Sequence, residues 1–480
     1  MNKDKNYKND GFMNKDNNKR YILRLILILG IFLTIGFIST MIHKYISSED
    51  TETYTDISTV MAAPGGFIHP NMYINAGEIE IIKGKIASNQ QPWKAAYDKM
   101  MSQANGSLRT PIQSVTFGGK IPSSGDMHDY FTEGPYLSDG VYNPKADRTD
   151  YTSAIKMRDS VRSLGMAYAF TGDSKYADKA VQLIRAWAID PDTKLNPKFT
   201  NMQSHIEITI TMSGMFYGID LIWNYPGFGS GDKEAIKSWA KNFSNSGKTF
   251  SSNENFDLWR LVFISSASVI AEDTDSLNYV FDRWKYDIND QMDTEGKIIR
   301  EINRPTGLGY SISGVNGFII TAELARHYGV DLYNYKTSDG KGLELALDFH
   351  APYVINPSTW PRKQIRPYIG QNAGTYELAY SWKKKDSYKN AISRWGRPMY
   401  EDRTLGYVTL THADTNITIG SIPIETPTRT SIIDVTPTPV STPMTPTTIT
   451  PREGEGGSMM LVFILSIFIL LVLLLKNHKK

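Results

Sequence analysis

The stretch Ser153-Ala-Ile-Lys-Met-Arg-Asp-Ser-Val-Arg-Ser-Leu-Gly-Met-Ala-Tyr-Ala-Phe-Thr171 carries its apolar residues at helical spacing, with Ile155, Met157, Val161, Leu164 and Tyr168 on one stripe. Gly172-Asp173 then breaks the pattern, glycine suiting a left-handed helix end and aspartate the start of a new helix. From Ser174 to Ile189 the period resumes through Ala177, Ala180, Val181, Ile184 and Trp187, which makes a helical hairpin.

The same pattern continues over Ile206 to Trp223, Lys233 to Phe243, Asp257 to Ala271, Ser276 to Ile288, Val315 to Tyr328 and Thr375 to Trp395. Strand alternation is nearly absent. Successive helices with short connections predict an all-α body of antiparallel hairpins. No fixed repeat length runs through them, which favours a closed toroid over a solenoid, although periodicity alone separates neither.

Composition bounds the rest. The chain has 480 residues, 41% of them hydrophobic and 21% charged, which describes a globular protein with a sizeable core. Its 52 basic and 50 acidic residues nearly balance, so the overall charge gives no reason to expect nucleic acid as a partner. With no cysteine there is no disulfide, thiolate metal site or cysteine nucleophile.

Two apolar segments bracket the body. Residues 1–20 form a polar tail rich in lysine, and residues 21–43 are long and apolar enough to serve as a transmembrane or signal-anchor segment. The hairpin body is expected over residues 56–400. Residues 424–457 are rich in proline and threonine and read as an extended stalk. A second apolar segment, at 458–475, reads as a C-terminal transmembrane segment, followed by a basic stop at 476–480. The expectation is an anchored protein at the cell membrane with its body outside, and the sequons at Asn105, Asn242 and Asn416 accord with glycosylation there.

The non-periodic stretch from Thr116 to Asp150 is long for a compact domain, as lids and binding loops are. Its Tyr130 and Tyr136 either stack on sugar rings or pack the loop onto the body. His128 is a loop anchor or a substrate contact. Asp126 and Asp129 beside it can hold a cation or act as a carboxylate pair in glycoside hydrolysis, but no regular metal-ligand spacing accompanies them.

Several motifs, taken in order, resemble the alginate lyase family. They include His128-Asp-Tyr-Phe-Thr-Glu-Gly-Pro-Tyr136, Leu164-Gly-Met-Ala-Tyr-Ala-Phe-Thr-Gly-Asp173, Asn196-Pro-Lys-Phe-Thr-Asn-Met-Gln203, Asn255-Phe-Asp-Leu-Trp259 and Glu301-Ile-Asn-Arg-Pro-Thr-Gly-Leu-Gly-Tyr310. The likeness runs from near His69 to near Trp395. It implies an incomplete (α/α) toroid with a deep cleft and a long lid loop, which cuts acidic polysaccharides by β-elimination without a catalytic metal or other cofactor. It also implies an active site of an Asn-His pair, an Arg and a Tyr. Asn255, Arg304 and Tyr310 match three of these, while Phe256 stands where the resemblance calls for histidine.

The chemistry can also be built from the side chains. Removing the C5 proton of a uronate pushes charge onto the neighbouring carboxylate, so donors must already surround that group. Arg304 offers a bidentate, permanently charged clamp and Asn255 a neutral amide donor. Tyr310 as phenolate, beside Arg304, can take the proton and return one to the glycosidic oxygen when both lie on one face of the sugar. For the opposite-face geometry a second base is needed, and His205 in Gln203-Ser-His205 is the candidate.

Gln203, His128, Tyr130, Tyr136 and Trp259 complete the expected substrate contacts. Each residue has a plainer reading: Arg304 as a partner of Glu301, Tyr310 as a core tyrosine, Asn255 as a helix cap and His205 as a structural histidine. The expected partner is an acidic polysaccharide. A non-catalytic binding protein on the same fold, suggested by Phe256, and a glycoside hydrolase are the alternatives.

Overall fold

The computed structural model describes residues 67–136, 142–250 and 254–413. Both apolar terminal segments, the stalk and the sequon at Asn416 lie outside them. Among the described residues no helix is long and apolar enough to cross a membrane.

Thirteen α-helices make up the described body. They are α1 (Ala76–Ala87), α2 (Trp93–Ser107), α3 (Thr149–Thr171), α4 (Ser174–Ile184), α5 (Met202–Ile222), α6 (Ser230–Lys248) and α7 (Asn255–Ala271). The series continues with α8 (Thr274–Gln291), α9 (Gly307–His327), α10 (Leu343–Ile355), α11 (Thr375–Trp382), α12 (Asp386–Trp395) and α13 (Val408–His412). There are no strands among these residues, only three isolated bridges.

The caps follow the sequence. Gly172 closes α3 at φ 71°, and the Asp173 side chain accepts from the Lys175 amide to open α4. Asn201 and Ser204 form a reciprocal capping box at the start of α5. The expected single helix from Thr375 to Trp395 is instead two, broken at Lys383–Lys385. Lys383 and Lys385 both reach back to Glu344 on α10, a contact that a continuous helix would carry away from its partner.

Alternate helices form an inner layer. The α3 helix packs on α5, α5 on α7, α7 on α9 and α9 on α11, while α2, α4, α6, α8, α10 and α12 lie against them from outside. This is the incomplete α/α toroid. The inner helices run parallel, because equivalent turns meet: Arg148 at the start of α3 reaches Glu207 near the start of α5, and Trp259 of α7 reaches Ser313 of α9. Close approach of α3 and α5 depends on glycine. A Cβ on Gly218 would stand 2.4 Å from the Val161 carbonyl oxygen, and one on Gly165 would stand 2.6 Å from that of Gly218.

The packed body continues to Ala413. Residues 399–407 cross the inner layer as a strap pinned by the Glu401–Gly406 bridge. Arg162 of α3 donates to the Asp402 carbonyl at 2.9 Å and to the Tyr400 hydroxyl at 2.6 Å, and Asn316 of α9 donates to Glu401 at 3.3 Å. The strap therefore joins α3 to α9, two inner helices that are not neighbours in the layer.

Candidate active site

Parallel inner helices bring their first turns to one end of the ring, and three of the expected catalytic residues meet there. Asn255 is the first residue of α7, not its cap, since Glu254 takes that place. Its backbone nitrogen and its Nδ2 both donate to Glu301 Oε1, at 2.8 and 2.6 Å. The other oxygen of Glu301 accepts from Arg304 Nη1 at 3.0 Å. Arg304 in turn lays its guanidinium 3.5 Å from the centroid of the Tyr310 ring, in the first turn of α9. One buried carboxylate thus ties Asn255 to Arg304, and a cation–π contact ties Arg304 to Tyr310.

The plainer reading of Arg304 as a partner of Glu301 is therefore present as well. It does not consume the guanidinium, because only Nη1 serves Glu301. Asn255 Oδ1 is buried without a partner. Such an atom costs stability unless something polar meets it. Glu254 stands 3.8 Å from Arg304, and burial together with nearby Glu301 raises its pKa.

A residue that the sequence reading missed joins this group. Arg403, from the strap, places its guanidinium 4.5 Å from the Trp259 ring centroid and donates from Nη1 to Ser313 Oγ at 3.1 Å. Ser313 also accepts from Trp259 Nε1 at 3.0 Å and lies one turn beyond Tyr310 on α9. Burial pulls the Arg403 pKa below the ordinary arginine value, against the opposing pull of Asp402 and Glu401. No acidic side chain makes an ion pair with Arg403 among the described residues. Its signal in the sequence was slight: one arginine in Glu401-Asp-Arg-Thr-Leu-Gly406, beyond the helical pattern.

The lid residues divide. Tyr130 is fully buried and donates to Glu207 at 2.8 Å, so it packs the loop and presents no face to a sugar. Gln203 donates to the same Glu207 at 2.6 Å, and Thr132 and Arg148 bind it too. Burial raises the pKa of Glu207 even against Arg148. Asp150, accepting from the Phe131 amide at 2.7 Å, is pushed up to about 7 by burial.

His128 anchors the loop through Nδ1 to the Lys194 carbonyl at 2.7 Å. Asp126 and Asp129 share the Asn196 amide at 2.8 and 2.7 Å, and Lys198 pairs with Asp129 at 2.9 Å. They staple the loop. Among the described residues no group of three or more His, Asp or Glu stands where it could hold a metal ion.

Tyr136 remains accessible. Its ring lies 5.8 Å from Arg366, in the segment that leads into α11. That segment is bound to the start of α9 by the Ile365 amide on the Pro305 carbonyl, at 2.9 Å. The lid therefore reaches from the α3 side of the ring to a basic rim, the segment carrying Arg362, Lys363 and Arg366, whose Ile365 is bonded to Pro305 beside Arg304.

His205, in the first turn of α5, sits in an aromatic setting. Its ring stacks on Phe250 with centroids 4.0 Å apart, meets Phe199 edge-on at 5.0 Å, and has no partner at either nitrogen. Burial, with help from Arg260, pushes its pKa down to about 3. An imidazole so reluctant to hold a proton is poorly suited to take one from a weak carbon acid. Phe256 is buried beside Asn255, where the resemblance calls for histidine.

Comparison with known proteins agrees with the fold. An alginate lyase from Bacteroides ovatus superimposes with a TM-score of 0.63 at 23% identity, over 72% of this chain and 100% of that one. Alginate lyase A1-III from Sphingomonas species A1 does so with a TM-score of 0.56 at 18% identity, over 73% of this chain and 98% of its own. A histidine-to-alanine form of A1-III, solved in complex with a tetrasaccharide, gives 0.57 at 18% identity, over 74% and 98%. No curated protein sequence matches the chain. The alginate lyase family model matches residues 114–360, more than half of the sequence and the span that carries Asn255, Arg304 and Tyr310. The chain belongs to the alginate lyase family.

Proposed function

We propose that this polysaccharide lyase cleaves a uronate-containing, alginate-like polymer by β-elimination, with Tyr310 as acid and base. The observation that carries the reading is the linkage Asn255–Glu301–Arg304–Tyr310 at the mouth of the ring, with Arg403 beside it. Arg304 and Arg403 supply positive charge from two separate segments. The substrate carboxylate sits against them, and charge that accumulates there as C5 loses its proton is held by groups already in place. The phenolate oxygen of Tyr310 takes the C5 proton, the released electron pair forms the C4–C5 double bond, the C4–O bond breaks, and the departing oxygen takes the proton from Tyr310.

Glu301 acts through its neighbours, fixing the amide of Asn255 and one nitrogen of Arg304. Asn255 Nδ2 still has a second hydrogen to offer a substrate. The basic rim and Tyr136 favour an acidic chain lying across the ring end. From the two apolar segments and the stalk we infer a protein held at the cell surface with this body outside.

Incubation of the protein with a panel of acidic polysaccharides tests the reading. The expected result is new ultraviolet absorbance from a 4,5-unsaturated uronate on at least one polymer. Phe256 favours a second reading, a binding protein without turnover. That reading gives saturable affinity for the same polymers and no new absorbance.

A further inference from the structure

At the other end of the ring the last turn of α9 faces α1, α11 and α13 across a cavity of about 350 Å³. Tyr310 lies in the first turn of α9 and Arg326 in the last, 16 residues on, so at 1.5 Å per residue the cavity is about 24 Å from the reacting centre. Its volume lies in the range of small-molecule sites.

The acids of this cavity are already engaged. Glu323, buried at its floor, accepts from Arg326 at 2.6 Å and from the Tyr333 hydroxyl at 2.8 Å, with His327 and His412 each 3.4 Å away. Glu78 accepts from Arg326 at 2.9 Å. Lys85 is different. It lies on the same face of α1 as Glu78, has no acidic partner among the described residues, and stands 3.7 Å over the ring of Trp93. Burial lowers its pKa, as expected of an ammonium that has lost water and gained no anion. Across the cavity Trp382 and Tyr333 lie with ring centroids 5.0 Å apart, and Ser381 and Thr411 bring hydroxyls.

An ammonium without an anion, two aromatic rings tilted at 42° with Lys383 beside one of them, and hydroxyls around a cavity of this size are the recognition chemistry for a sugar ring bearing a carboxylate. The aromatic faces take the apolar face of the ring and the ammonium takes the charge. We propose that this cavity is a second, non-catalytic uronate site, held by Lys85 and Trp382, that tethers one part of a polymer while another part occupies the cleft. The choice of a uronate rests on the lyase reading above. Two sites on one polymer raise its effective concentration at the cleft without any new contact there.

Calorimetric titration of the full chain carrying Tyr310→Phe with a saturated alginate tetrasaccharide tests the proposal. Two binding events are expected. Adding Lys85→Met, which keeps an unbranched side chain beside Trp93 but removes the charge, should weaken one of them at least tenfold and leave the other unchanged, and Trp382→Ala should do the same. Lys85→Arg should retain both. In otherwise unmodified protein, Lys85→Met should leave turnover of a trisaccharide unchanged and raise KM for long polymer several-fold. A single binding event, or two that Lys85→Met and Trp382→Ala leave untouched, overturns the second site. Failure of the lyase reading shows separately, as the absence of unsaturated product from the unmodified protein.

Discussion

Glu301 Oε1 accepts from both the backbone nitrogen and the side-chain amide of Asn255, at 2.8 and 2.6 Å, although 46 residues separate them in sequence. The start of α7 is thereby locked to the loop that precedes α9. The same carboxylate holds Arg304 through its other oxygen, so the spacing between amide and guanidinium is set by one side chain.

Glu301→Gln keeps the shape of that side chain but turns one acceptor into a donor. Either Asn255 or Arg304 then loses its partner in a buried place, at a cost of roughly 1–3 kcal/mol. The expected outcome is a kcat lowered on the order of 10- to 100-fold with a smaller change in KM, together with a lower melting temperature. Steady-state kinetics and a thermal melt check this, and an unchanged kcat would separate Glu301 from the chemistry.

Arg403→Met removes the strap's positive charge while keeping an unbranched side chain against Trp259. If Arg403 holds substrate carboxylate or the charge on Tyr310, kcat/KM falls on the order of 100-fold, as losses of single charged hydrogen bonds do. Arg403→Lys should recover part of it. A purely structural arginine would instead show a lowered melting temperature with kcat/KM preserved in the folded fraction.

His205→Phe should preserve activity. The imidazole is already stacked in an aromatic setting, its nitrogens are unpartnered, and its pKa near 3 keeps it uncharged from pH 5 upward. The pH–rate profile of the variant should overlay that of the unmodified protein between pH 5 and pH 9 within about a factor of two. Loss of one limb of the profile would return His205 to the reaction.

Asp150 gives a prediction about stability. Its carboxyl is pushed up to about 7 in the folded protein by burial, whereas in an unfolded chain it ionises near 4. The folded state therefore holds the extra proton between these values, and its contribution to stability, full below about pH 4, is lost as pH rises to about 7. Asp150→Asn, which keeps an acceptor for the Phe131 amide, should melt higher than the unmodified protein at pH 8, with the gap closing towards pH 4. Three pH units bound the effect at about 4 kcal/mol. A gap independent of pH would contradict the shift.

Much of the ring could be read from the chain. The period through Ile155, Val161 and Leu164 and the break at Gly172-Asp173 set the first hairpin as observed, because capping chemistry and apolar spacing are local. The split between α11 and α12 was not legible, since it follows from Lys383 and Lys385 reaching Glu344, about forty residues earlier in sequence. Within the site, Arg304 and Tyr310 share one motif and could be paired from sequence alone. Their link to Asn255 through Glu301 required the fold. Arg403 escaped because nothing local distinguishes an arginine in a short strap from one on the surface. Tyr130 could have stacked on a sugar or packed inward, and only the buried Glu207 beneath it decides for packing.

The most direct test of the central claim is the elimination rate of Tyr310→Phe against the unmodified protein, followed by absorbance of the unsaturated uronate on the polymer that the unmodified protein cleaves fastest. Removing one hydroxyl from the Arg304-covered ring should lower kcat at least ~1,000-fold, while calorimetric affinity for a saturated tetrasaccharide stays within a few-fold. A variant that keeps kcat within tenfold of the unmodified protein would contradict the assignment of Tyr310 as the group that moves the proton.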